Sequence, residues 1–133
     1  MTERAIQIYA IINLTIIGLS HFFKPKAWVE FFIVLRQYGE AGIFVIAILN
    51  LAFGSLIVAF HNVWHGIPLA LTLLGWANVL KAMLYLIFPG IALRKLQSLT
   101  IERAILVRIG GGVFLLLAGL LAFHVWVIAG SSR

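Results

Sequence analysis

No cysteine occurs in this chain, and only four of its 133 residues are acidic, all of them glutamate. The first absence removes disulfides, thiolate chemistry, Fe–S clusters and cysteine-based zinc sites. It does not fix the compartment. The second leaves no paired carboxylates: Glu3, Glu30, Glu40 and Glu102 are scattered, each at the end of an apolar run or in a connector. An acid deep in such a run would mark a proton-coupled exporter, and none is there. No Ser/His/Asp set, P-loop or dinucleotide fingerprint is present, so the chain reads as a non-enzyme.

What fills the chain instead is apolar. Hydrophobic residues make up 63% of it and the mean hydropathy is +1.11, far above an ordinary soluble domain. Four runs carry this character: Ala5–Phe23, Gly42–Val63, Ile67–Phe88 and Ile105–Ala129. About 20 such residues, rising 1.5 Å each, cross a hydrocarbon core of about 30 Å. The expected fold class is an all-α membrane protein with four transmembrane helices, one transmembrane domain over residues 1–133. The first run is expected to be a retained span, because its basic flank, Lys24 and Lys26, follows it rather than leading it.

The net charge of +6 is an orientation signal rather than a nucleic-acid signal. Lys24, Lys26 and Arg36 follow run one, and Arg94, Lys95 and Arg103 lie between runs three and four, with Arg108 just inside run four. With Lys81, that places eight of ten basic residues on one side, leaving Arg4 and Arg133 at the termini. The positive-inside rule makes the basic side cytoplasmic and both termini periplasmic or exterior. Lys24, Lys26, Arg36, Arg94, Lys95, Arg103 and Arg108 are then candidates for lipid headgroup contact. The expected partners are membrane lipids and a second copy or larger membrane complex, with no nucleic acid.

The chain reads as two similar halves, about 1–65 and 66–133. Pro25 and Pro89 are 64 positions apart, and His61 and His124 are 63 apart. Each half is a span, a proline-started basic connector and a second span ending in an aromatic-His segment: two tandem hairpins. The connectors are expected to be amphipathic interfacial helices. Trp28, Phe31, Phe32 and Leu35 fall at i, i+3, i+4 and i+7 from the first of them, and Ala92, Leu96 and Leu99 do similar duty in the second. A basic loop, or a backward extension of span two, are the other readings; Gly39-Glu40 opposes the extension.

Lys24-Pro25-Lys26-Ala27-Trp28 after the first span and Arg108-Ile109-Gly110-Gly111-Gly112 opening the fourth resemble the YjeT-like family of small bacterial inner-membrane proteins. The resemblance implies a tandem doubling of a two-helix unit and a bacterial inner-membrane location. It implies no biochemical activity. The first half lacks the glycine triplet and the second lacks the Trp.

Four groups of residues are candidates for function. Asn13, Asn50 and Asn78 sit near the middle of spans one, two and three, and Lys81 and Tyr85 share a helical face with Asn78. Two readings stand for the asparagines: a polar ligand or ion site, or interhelical hydrogen bonds. Lys81 offers an anion or proton site, a pair with Glu40, or a snorkelling side chain. His61 and His65 at i, i+4, with His124 at a similar depth, suggest a transition-metal or haem site, set against an ordinary aromatic belt with Trp64 and Trp126. Gly110, Gly111, Gly112, Ala118 and Ala122 form a helix-packing face on span four. His21 reads as an interfacial residue. The expected role is a non-enzymatic accessory or scaffold subunit of a membrane assembly, with a small transporter or channel, and a haem or metal binder, as alternatives.

Overall fold

The computed structural model describes residues 2–131, and no strand occurs among them. The helices are α1 (Thr2–Phe23), α2 (Pro25–Gln37), α3 (Glu40–Phe60), α4 (Pro68–Ile87), α5 (Pro89–Gln97) and α6 (Ala104–Ser131), the last preceded by a single 3-10 turn at Ile101–Arg103. α1, α3, α4 and the stretch Ile101–Ser131 are each long and apolar enough to cross a membrane. They coincide with the four apolar runs to within a few residues. Arg133 lies outside the described residues.

All three prolines open a helix, Pro25 in α2, Pro68 in α4 and Pro89 in α5. There the missing N–H would have had no partner, and the ring presets φ. α2 is a helix separate from α3, because the chain turns at Gly39 with φ 64°, a left-handed conformation glycine adopts without a Cβ penalty. Trp28, Phe32 and Leu35 of the expected face are half-buried. Pro25 and Val29 are buried while Phe31 is 41% exposed. The turn lets Arg36 reach across to α5, where it donates hydrogen bonds to the carbonyls of Leu96 (2.8 Å) and Leu99 (3.4 Å). Arg36 thus uses one amino group to cap the end of α5.

α3 ends at Phe60, short of the end of its apolar run. His61 is extended (φ −140°, ψ 101°) and fully buried. His61 and His65 therefore do not share a helical face, contrary to their spacing. The cause is the hydrogen bonding of His61 described below, which draws its ring inward, and the turn at Gly66 (φ 64°) that leads into Pro68.

The intimate helix partners are α1 with α6 and α3 with α4, whereas α1 meets α3 and α4 meets α6 only lightly. The tightest packing therefore joins the two halves of the sequence rather than the two spans within each half. Each tight pair crosses glycine on glycine. A Cβ on Gly111 would stand 2.7 Å from the Gly18 carbonyl oxygen, and one on Gly18 would stand 3.0 Å from that of Gly111. A Cβ on Gly54 would stand 2.8 Å from the Gly75 carbonyl oxygen. In lipid, helices gain little from burying apolar surface, so close backbone approach and the contacts it permits hold such pairs.

The expected packing face of α6 is right at Gly111 and Ala118, both buried, and wrong elsewhere. Gly110 and Gly112 face open space, Ala122 is exposed, and Leu121 takes the inner position instead. The face is centred on Gly111, Phe114, Ala118 and Leu121, which leaves Ala122 at its edge. The main core gathers Ile6, Ala10 and Leu14 of α1, Ile57, Leu71, Ala118 and Leu121. A smaller cluster of Ile43, Ile46 and Ala92 seats α5 against α3, with Tyr85 packed on it.

The glycine crossings give a paired prediction. Gly111→Ala should lower the midpoint of denaturation in detergent, at a cost of about 1–3 kcal/mol from overpacking. Gly112→Ala, one position along with nothing within 4 Å of its Cβ, should be neutral or stabilising through helix propensity. Equal effects of the two changes would contradict the crossing.

Candidate functional site

The three midspan asparagines and Lys81, separated widely in sequence, line one cavity of about 260 Å³. Its wall comes from Asn13, Leu14, Ile17 and His21 of α1, Ile46, Leu49, Asn50 and Phe53 of α3, Leu74, Asn78 and Lys81 of α4, and Phe114 of α6. α2 closes it from the basic end with Trp28, Phe31 and Phe32. On the terminal side lies the main core, which shares Leu14 with the cavity wall. Ile17, Phe31 and Leu49 line the cavity and are 36%, 41% and 60% exposed, so its mouth opens sideways between α1 and α3, one of the pairs that pack lightly.

Each asparagine hydrogen-bonds within its own helix. Asn13 Nδ2 donates to the Tyr9 carbonyl (2.9 Å), Asn50 Nδ2 to Ile46 (2.7 Å) and Asn78 Nδ2 to Leu74 (2.8 Å). A backbone carbonyl only accepts, so these contacts settle which end of each amide is nitrogen. No hydrogen bond to the three side-chain oxygens is formed among the described residues. The interhelical amide bonds of the second reading are not formed among the described residues.

Lys81 lines the cavity and is exposed, with Nζ 5.5 Å from the centre of the Tyr85 ring. That is cation–π range. The described residues give it no ion pair with Glu40. Tyr85 itself belongs to the α5 contact and does not line the cavity.

Sequence reasoning missed His21 and Trp28. The two rings stack with centroids 4.1 Å apart, and Trp28 Nε1 donates to Ser20 Oγ at 2.8 Å. His21 also meets Phe114 edge-on and hydrogen-bonds the Ile17 carbonyl. These contacts latch α2 beneath the cavity. The available signal was the aromatic density of α2 next to a histidine eight residues or fewer away, which reads equally well as an interfacial belt.

Of the candidate metal or haem residues, His65 and His124 line one cavity and His61 does not. His61 is a buried junction: Gln7 Nε2 donates to its Nε2 (3.1 Å), its Nδ1–H donates to Thr72 Oγ1 (3.1 Å), and Thr72 Oγ1 donates to the Val63 carbonyl (2.8 Å). Both ring nitrogens are engaged, and the order of donors fixes a neutral ring protonated on Nδ1. His65 and His124 line a separate cavity of about 660 Å³ at the terminal end, with Glu3, Arg4 and Gln7. Among the described residues no three His, Asp or Glu side chains gather as a metal centre.

Compared with protein-family models, curated proteins and solved structures, the chain matches none.

Burial pushes the His61 imidazole below its ordinary range, with the Glu3 carboxylate acting the other way. A native pKa below the unfolded one means the unfolded chain binds the proton more readily. Stability contributed here is present above the unfolded pKa, about 6.5, and is lost as pH falls below it. The protein should therefore lose thermal stability on acidification through that range, and His61→Gln should flatten the slope. An unchanged slope in the variant would contradict the neutral junction.

Proposed function

We propose that this is a small multi-pass protein of the bacterial inner membrane that holds a small, hydrogen-bond-donating ligand in the cavity between its four spans, as a transporter or ligand-binding subunit. One observation carries the reading. Asn13, Asn50 and Asn78 come from three different helices, converge on one cavity and keep their amide oxygens unpaired. Polar groups that line a space in the membrane without partners mark binding or passage sites.

The aromatic lining and the sideways mouth suit a ligand that is flat, partly apolar and delivered from the bilayer. The volume limits it to a molecule below the usual drug-size pocket of about 300–1,000 Å³. Orientation follows from the positive-inside rule, with α2 and α5 lying on the cytoplasmic face as amphipathic interfacial helices and both termini outside. The likeness to the YjeT-like family and the doubled two-span unit belong to this reading. The small buried positions Gly18, Ala47, Ala82 and Gly111 support the repeat: Gly18 and Ala82, and Ala47 and Gly111, are each 64 positions apart, in step with Pro25 and Pro89.

The accessory-subunit reading rests on one feature, the outward Gly112 and Gly119, a heptad apart on α6 with no neighbour within 4 Å. Affinity purification from native membrane would support it by recovering a stoichiometric partner lost on Gly112→Leu. Failure to recover any partner or second copy removes it.

The ligand reading is tested by extracting the protein in native lipid and measuring co-purifying small molecules by mass spectrometry. A species retained by the wild type should be depleted at least about tenfold in Asn13→Leu/Asn78→Leu, the loss of two buried hydrogen bonds being worth about that much. Ser55→Ala, at an exposed position on α3 whose hydroxyl donates to the Ala52 carbonyl and does not line the cavity, should retain it. Identical small-molecule content in all three would overturn the reading.

A further inference from the structure

A second cavity lies away from the asparagine site, at the corner where α1 passes into α2 and the 3-10 turn passes into α6. Its volume is about 500 Å³, and Lys24, Lys26 and Arg108 line it together with one acid, Glu102. We infer that it is a binding site for the phosphate headgroup of an anionic phospholipid, with the acyl chains running down the outside of α1 and α6.

Arg108 is held ready for this. Its Nε donates to the Phe22 carbonyl at 3.1 Å and its guanidinium lies over the Phe22 ring, 5.8 Å from the centroid. Anchored by that nitrogen, the side chain keeps both terminal amino groups for an oxyanion, the part of the fork that matches phosphate geometry. Lys24 and Lys26 are exposed and form no ion pair among the described residues, and the lining carries three positive charges against one negative. The sum favours an anion, in a region where basic pockets between spans and headgroups take acidic lipids.

The lower wall decides between a lipid and a free anion. Phe23, Ile101 and Ile105 border the cationic mouth and are 68%, 47% and 54% exposed. A soluble phosphate would leave that apolar surface unused. A phospholipid covers it with its glycerol and upper acyl segments while the headgroup meets the cations, so one ligand satisfies both parts.

The test is lipid retention by the full chain in native mass spectrometry after extraction from vesicles of phosphatidylglycerol and phosphatidylcholine in equal amounts. The wild type should hold one phosphatidylglycerol selectively. Lys24→Gln/Lys26→Gln should weaken that retention by roughly fivefold per lysine, the usual worth of a basic residue at an anionic surface. Arg108→Lys, which keeps the charge and loses the fork, should weaken it as well. Arg94→Gln/Lys95→Gln, which removes as much charge from α5 outside the cavity, should change it less than twofold. Equal losses in the two double variants would reduce the site to diffuse surface attraction and overturn the inference. Displacement of the lipid by inorganic phosphate at millimolar concentration would identify a free-anion site and overturn the lipid assignment.

Discussion

Close backbone contact between glycines is the constraint on which this structure depends. Four helices in lipid have no water to drive them together, so each pair must find its stability in contact area and distance. Gly18 against Gly111 and Gly54 against Gly75 bring two pairs of backbones to a separation that any side chain would prevent. The crossings decide which helices are neighbours. They join α1 to α6 and α3 to α4, and so tie the beginning of the chain to its end.

The cavity is what this pairing leaves over. Two tight pairs meet through the core around Leu14, Ile57, Leu71 and Leu121 at the terminal end, while toward the basic end α1 and α3 touch only lightly. The gap is closed from below by α2, which Trp28 fastens to Ser20 and His21. Asparagines that would have been neutralised by a neighbouring helix in a tighter bundle instead turn their NH2 groups back onto their own backbones at the wall of the space. At the other end, His61 uses both ring nitrogens to tie the end of α3 to α1 and α4. It serves the fold there, apart from the cavity that His65 and His124 line.

Much of the fold was legible because lipid imposes simple demands. Run length and apolarity located the four apolar helices, Pro25 and Pro89 marked the starts of α2 and α5, and Gly39 marked the break between α2 and α3. Depth along each run also put Asn13, Asn50 and Asn78 at one level. Helix pairing was not legible, since Gly18, Gly54 and Gly75 give no sign of which partner each will meet. The same limit misplaced Ala122, whose position on the wheel is acceptable until the partner's direction is known. His61 looked like a continuation of α3 because backbone conformation at a helix end depends on Gln7 and Thr72, far away in sequence. His21 and Trp28 escaped notice because an aromatic residue beside a membrane interface needs no further explanation until something is seen to pack on it.

The pairing of helices through glycine is tested most directly by cysteine cross-linking in native membranes, where the absence of natural cysteine gives a clean background. Cysteines introduced in pairs on the inner faces of α1 and α6, at Leu14 and Ala118, should form a cross-link with a short bifunctional thiol reagent, as should matching pairs on α3 and α4, whereas pairs on α1 and α3 at the same depth should not. Efficient linkage of α1 to α3, with none between α1 and α6, would mean that the spans pack as sequential hairpins and would contradict the account.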